Sequence, residues 1–173
     1  MRLFVAIKLN ENMENALVSA QYKIKENLVS GRYSDRSMLH LTLAFIGEFS
    51  DPELVLEAMR QVHFKPFKLS LNGNVGNFND ILWAGLDDSE ELQAVARQIR
   101  DAFDEKGIPY DRKPYNPHIT IFRKARLNNS TSLSDFEVEP NSMTVEKISL
   151  MCTEKIYGRF VYTEKGFLEA NKI

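Results

Sequence analysis

Two short segments carry most of the chemistry that this sequence can offer. Of its three histidines, one lies in "MLHLTLAFIG", which begins at Met38, and one in "NPHITIFRKA", which begins at Asn116. Both follow the pattern His, apolar, Thr, apolar: His40-Leu41-Thr42-Leu43 and His118-Ile119-Thr120-Ile121. An imidazole titrates near pH ~6.5, so it can act as an acid or as a base close to neutrality. Opening a phosphodiester requires one of each: a base to activate the nucleophile and an acid to protonate the leaving oxygen. Threonine hydroxyls can donate hydrogen bonds to the non-bridging phosphate oxygens. Two histidines with no cysteine or carboxylate beside them make a poor zinc site. The expectation is therefore chemistry with no metal and no cofactor.

The elements around the two segments must place those side chains. Side chains alternate along a strand, so His40 and Thr42 share one face while Leu41 and Leu43 take the other. The same parity pairs His118 with Thr120 and Ile119 with Ile121. "RLFVAIKL", from Arg2, predicts a first strand. Asn10 is placed to cap a helix whose Met13, Leu17, Ala20, Ile24 and Leu28 recur at helical spacing, with Gly31 as its stop. Asp51 and Pro52 start a second helix. Asp88 or Ser89 starts a third, which Gly107 ends. "FKLSL" and "ILWAGL" predict strands joined by a turn at Asn79-Asp80. "GIPYDRKPYNP" must be extended because of Pro109, Pro114 and Pro117. "LNNSTSLSD" reads as a polar loop. "VEKISLMCTEK" and "RFVYTEKGFLE" read as a terminal strand pair turning near Tyr157-Gly158. Each His-Thr strand follows a helix, a weak internal repeat that suggests two similar lobes around one cleft.

Composition sets outer limits. At 173 residues the chain suits a single core better than two. The net charge of −2 gives no global basic excess, which argues against long duplex nucleic acid as a partner. One cysteine, Cys152, excludes a disulfide within the chain and suits a reducing compartment. No stretch approaches the length of a membrane span, and the start lacks a secretory pattern. A cytoplasmic protein with no membrane association is expected.

The paired "HLTL" and "HITI" segments resemble the two motifs of the 2H phosphoesterase superfamily. Closer still is its RNA 2′,3′-cyclic phosphodiesterase branch, also called the 2′-5′ RNA ligase family. "MRLFVAIKL", "HLTLAFIGEF", "ILWAGL" and "NPHITIFRKA" are each similar to that branch's segments, so the likeness spans nearly the whole chain. It implies an α+β fold, with two lobes about a pseudo-twofold, antiparallel sheets lining a central cleft and helices outside. Residues 1–173 would form a single domain, one motif per lobe. The implied activity is hydrolysis of RNA 2′,3′-cyclic phosphate ends to 2′-phosphomonoesters, with reversible 2′-5′ ligation as the associated reaction. His40 would be the proton donor and His118 the proton acceptor. Thr42, Thr120 and Arg123 would bind the phosphate. The partner would be an RNA end or a small nucleotide with a 2′,3′-cyclic phosphate, and the protein would act as a monomer without an obligate protein partner. Two other readings are a smaller substrate, either a cyclic nucleotide or a 2′-5′ oligonucleotide, and a non-catalytic RNA- or nucleotide-binding module.

Five further positions carry specific expectations. Strict alternation puts Arg123 on the face opposite His118, so it reaches the cleft only if the strand bends there. Phe122 shares the His118 face by parity and is a candidate to stack a base, as is Tyr115. Trp83, in an apolar run, reads as core. His63, in "RQVHFKPF", has Lys65 where the motif has threonine, and reads as a helix-end residue.

Overall fold

A computed structural model describes residues 1–172. The chain begins with β1 (Arg2–Lys8), whose alternate residues serve two faces. Leu3, Val5 and Ile7 enter the main core, while Phe4 and Ala6 join Met151 and Tyr162 in a small cluster on the opposite side. Next comes α1 (Glu11–Lys25), where the Asn10 side chain accepts a hydrogen bond from the Met13 N–H at 2.9 Å. Its Met13, Ala16, Leu17, Ala20 and Ile24 are buried.

α1 ends six residues before Gly31, and Leu28–Tyr33 forms β2, which pairs with a later strand. The helical spacing of Leu28 is misleading here. The open edge of a neighbouring strand supplies hydrogen-bond partners that an isolated segment lacks, and this tertiary pairing overrides local preference. Gly31 permits close pairing rather than stopping a helix: a Cβ there would lie 3.2 Å from the Cα of Ala125.

A short 3₁₀ turn (Arg36–Met38) leads into β3 (His40–Glu48). α2 (Pro52–Met59) follows, capped by Asp51, which accepts from the Leu54 N–H at 3.1 Å. β4 (Phe67–Phe78) is longer than "FKLSL", and turns at Asn79 (φ 53°) into β5 (Ile81–Leu86). α3 (Glu90–Lys106) takes Ser89 as its cap and stops at Gly107 in the left-handed conformation (φ 71°). The proline-rich stretch is extended as expected, and β6 (Ile119–Leu127) begins one residue after His118. A strand missed in the sequence, β7 (Ser142–Val145), precedes β8 (Lys147–Ile156) and β9 (Arg159–Glu169). "VEKISLMCTEK" is thus divided at Glu146, where the chain changes sheets. The β8–β9 turn lies at Tyr157-Gly158, where both residues have positive φ.

The strands make two antiparallel sheets, of order β3-β1-β8-β9 and β2-β6-β5-β4-β7. α1 packs on β2 and β6, α2 on β8 and β9, and α3 on strands of both sheets, β3 and β4. The fold is α+β, with antiparallel sheets on a central cleft. The first motif lies on the four-stranded sheet and the second leads into the five-stranded one. No helix among the described residues is long and apolar enough to cross a membrane.

Candidate active site

On the four-stranded sheet, His40 pairs with Lys8 and Thr42 with Ala6. Directly paired residues point to the same side, so His40, Thr42, Lys8 and Ala6 share a face. Leu41 and Leu43 are buried on the other. The His40 ring lies 5.0 Å from Phe4 and 5.3 Å, edge-on, from Tyr162. Its Nδ1 is 2.7 Å from the Met38 carbonyl oxygen. A carbonyl can only accept, so Nδ1 carries a proton. Nε2 lies 2.9 Å from Thr42 Oγ1: it accepts from the hydroxyl when neutral and donates when charged.

His118 repeats the Nδ1 contact of His40. Its Nδ1 is 2.7 Å from the Asn116 carbonyl oxygen, which sets the same tautomer and leaves Nε2 unprotonated in the neutral ring. In both motifs the carbonyl belongs to the residue two positions before the histidine. Phe78 meets the His118 ring edge-on at 4.9 Å, and Trp83 lies at 6.3 Å. Each imidazole is therefore flanked by two aromatic rings.

The histidines are close enough for their charges to interact. Burial holds the His40 pKa below the ordinary histidine value. The Met38 carbonyl opposes that shift, while the charges of Arg123 and His118 add to it. Tyr115, in the extended approach to β6, donates from its hydroxyl to the Thr42 carbonyl oxygen at 3.0 Å, tying the approach to the first motif. Burial pushes the Tyr115 phenol well above its usual range, against the influence of Arg100. The same approach makes a backbone contact with β3, from the Asp111 N–H to the Phe45 carbonyl at 2.8 Å.

The position of Arg123 follows from an irregularity in β6. Trp83 pairs with Thr120, but the adjacent Leu82 pairs with Phe122, so Ile121 is an extra residue. Ile121 and Phe122 are consequently both buried, and alternation resumes one step out of phase. Arg123 emerges exposed, and its charge is felt at His40 and Tyr162 on the other sheet. Strict parity through the strand thus fails, and the bend that Arg123 requires is present.

The same bulge removes Phe122 as a stacking residue. It is 1% exposed in the main core and can reach no base. Tyr115 is half-buried: its ring packs against the core and its hydroxyl donates to the Thr42 carbonyl oxygen. Trp83, expected in the core, is half-buried beside His118. Its indole lies where a side chain on Gly76 would be, so glycine there is a packing requirement. His63 is held by Gln98 through both backbone groups, away from the motifs.

Several cleft residues had no signal of their own in the sequence. Phe78 and Tyr162 sit beside the two histidines only because of strand pairing. Lys8 and Lys147 both approach Glu164, at 3.4 and 3.2 Å, and Ser149 donates to the same carboxylate at 2.6 Å. A lysine closing the apolar run Leu3–Ile7 was the one available hint of that cluster. Among the described residues, no group of three or more His, Cys, Asp or Glu is placed to hold a metal ion.

Residues 18–155 match the family model described as the 2′-5′ RNA ligase superfamily. The chain belongs to that superfamily. This member is 26% identical over 179 aligned positions to an RNA 2′,3′-cyclic phosphodiesterase of Methanothermobacter thermautotrophicus, covering 94% of this chain and 95% of the relative. It is 31% identical over 130 positions to a protein of the same name from Geobacillus stearothermophilus. That alignment covers 70% of this chain but only 41% of the relative's length. The crystal structure of Escherichia coli LigT in apo form superposes with a TM-score of 0.84 at 25% identity, covering 99% of this chain and 98% of LigT. The superfamily member described here is thus an enzyme with the two-sheet fold of LigT.

Proposed function

We propose that the protein hydrolyses RNA 2′,3′-cyclic phosphate ends to 2′-phosphomonoesters, using two histidines and no metal. One observation carries the reading. Both motif histidines are locked in the same tautomer by the carbonyl two residues earlier, with a threonine beside each on the cleft face. Names borne by relatives of this chain supply the substrate class.

The steps follow from that geometry. His118 Nε2 takes a proton from water, and the resulting hydroxide attacks phosphorus. The Thr42 and Thr120 hydroxyls and the Arg123 guanidinium hold the non-bridging oxygens and offset the added charge. A P–O bond forms to the water oxygen as the bond to the 3′ oxygen breaks. Protonated His40 donates its Nε2 proton to that leaving oxygen. The 2′ ester survives, and exchange with solvent restores both imidazoles. Attack by an RNA hydroxyl in place of water gives the 2′-5′ linkage, so ligation uses the same groups.

His40 must be charged to act, although its burial disfavours charge. The anionic substrate relieves this conflict, because an opposite charge close by raises the pKa. Phosphate binding therefore favours the protonated form of His40, which burial in the empty cleft disfavours. We further assign 1–173 to one domain of two lobes, active as a cytoplasmic monomer.

The deciding experiment uses an RNA oligonucleotide ending in a 2′,3′-cyclic phosphate. A 2′-phosphate product is expected, unaffected by EDTA. A 3′-phosphate product, or activity lost to EDTA and restored by added metal, sinks the scheme. Turnover of small cyclic phosphates alone moves the substrate but keeps the chemistry.

A further inference from the structure

The five-stranded sheet ends in β2, whose neighbour in the sheet is β6. In that pair Arg32 stands directly opposite Arg123. Paired residues share a side of the sheet, so Arg32 projects from the side on which Arg123 acts on His40. The next pair, Tyr33 with Phe122, takes the other side, as the burial of Phe122 requires. Both arginines are exposed, and neither forms an ion pair with another described residue.

Like charges directly opposite each other across a ladder are destabilising. A carboxylate between them would relieve the repulsion, and none is bonded to either. A phosphodiester chain would relieve it equally well, because it carries one negative charge per nucleotide. Arg123 is already assigned to the reacting phosphate. The next cation along the sheet is Arg32, on an edge strand with no further strand beyond it to obstruct a polymer.

We propose that Arg32 binds the phosphate one nucleotide upstream of the reacting end, so that the site is built for a single-stranded RNA chain and not for a mononucleotide. The inference rests on the cyclic phosphodiesterase reading and deepens it. A guanidinium matches a phosphate through paired N–H donors, and a contact of this kind positions the chain without reading its sequence. The protein would then distinguish polymer from monomer by counting phosphates.

The test measures binding, which is independent of turnover. The ligand is a 5′-fluorescein pentaribonucleotide ending in a 2′-phosphate, used in native form and with a neutral methylphosphonate at its last internucleotide linkage. Arg32→Gln should weaken binding of the native RNA about tenfold and lower its salt slope by about 0.7, the value for one phosphate contact on a single strand. The same substitution should have no further effect on the methylphosphonate RNA. Arg97→Gln, on the exposed face of α3, serves as a control for general charge loss. Equal weakening on both RNAs, an effect no larger than that of Arg97→Gln, or no binding by the wild type at low salt would each overturn the proposal. RNA bound in the expected pattern but never cleaved at a cyclic end would reject the catalytic reading alone. Turnover with binding indifferent to Arg32 would reject this one alone.

Discussion

At the scale of single residues, the two histidines should dominate turnover. His40→Ala and His118→Ala should each lower kcat by about 10²–10⁴-fold, the usual worth of a positioned acid or base, with an unchanged circular dichroism spectrum. A variant close to wild-type activity would refute the paired roles. The pH dependence has a definite sign. In the proposed scheme His40 acts as its protonated form, and its pKa in the empty cleft is lowered first by burial and then by the charges of Arg123 and His118. The alkaline limb of kcat/KM, which reports the free enzyme, should therefore begin below pH ~6.5. In Arg123→Gln the limb should move to higher pH while the rate falls. A limb that stays in place would mean that another group sets it. The motif residues were legible because His-x-Thr parity needs only local strand geometry. Arg123 and Phe122 were not, since one inserted residue, Ile121, exchanges their faces, and a bulge is a property of the strand pair.

At the scale of elements, two contacts hold the site and each is separately testable. Gly76 leaves room for the indole of Trp83, the single tryptophan, which flanks His118. Gly76→Ala should displace that ring, shift the intrinsic fluorescence spectrum and lower kcat without unfolding the protein. An unchanged spectrum would show that β4 yields instead. Tyr115→Phe removes the hydrogen bond to the Thr42 carbonyl, and should cost about 1 kcal/mol in denaturant unfolding along with some turnover. Full stability and activity would make the tie between the proline-rich approach and β3 incidental. The helices were readable from their caps and apolar spacing, and Asn10, Asp51 and Ser89 all cap as side chains should. β2 and β7 were not readable. The first continues a helical pattern through Leu28, and the second adjoins β8 with only Glu146 between them. Both become strands because an open sheet edge is available to them, and no local pattern records that edge.

At the scale of the whole molecule, acid and alkali should destabilise the fold through identifiable groups. The depressed His40 pKa means that the unfolded chain binds more protons, so stability should fall as pH drops below ~6.5. Tyr115 and Tyr162 are raised chiefly by burial, so the unfolded chain loses these protons first and stability should fall again above pH ~10. Denaturant midpoints across this range should show a plateau between the two limits, and His40→Gln should weaken the acid decline. A decline unchanged by that substitution would place its origin among the carboxylates. The order of strands adds a different consequence. The chain visits the four-stranded sheet with β1, leaves for β2, returns with β3, leaves again for β4 to β7, and comes back with β8 and β9. β1 therefore sits between β3 and β8, a partner encoded at the far end of the message. During synthesis, the second long edge of β1 stays unpaired until almost the whole polypeptide has left the ribosome. The sheet that carries His40 is therefore complete only once β8 and β9 have been made.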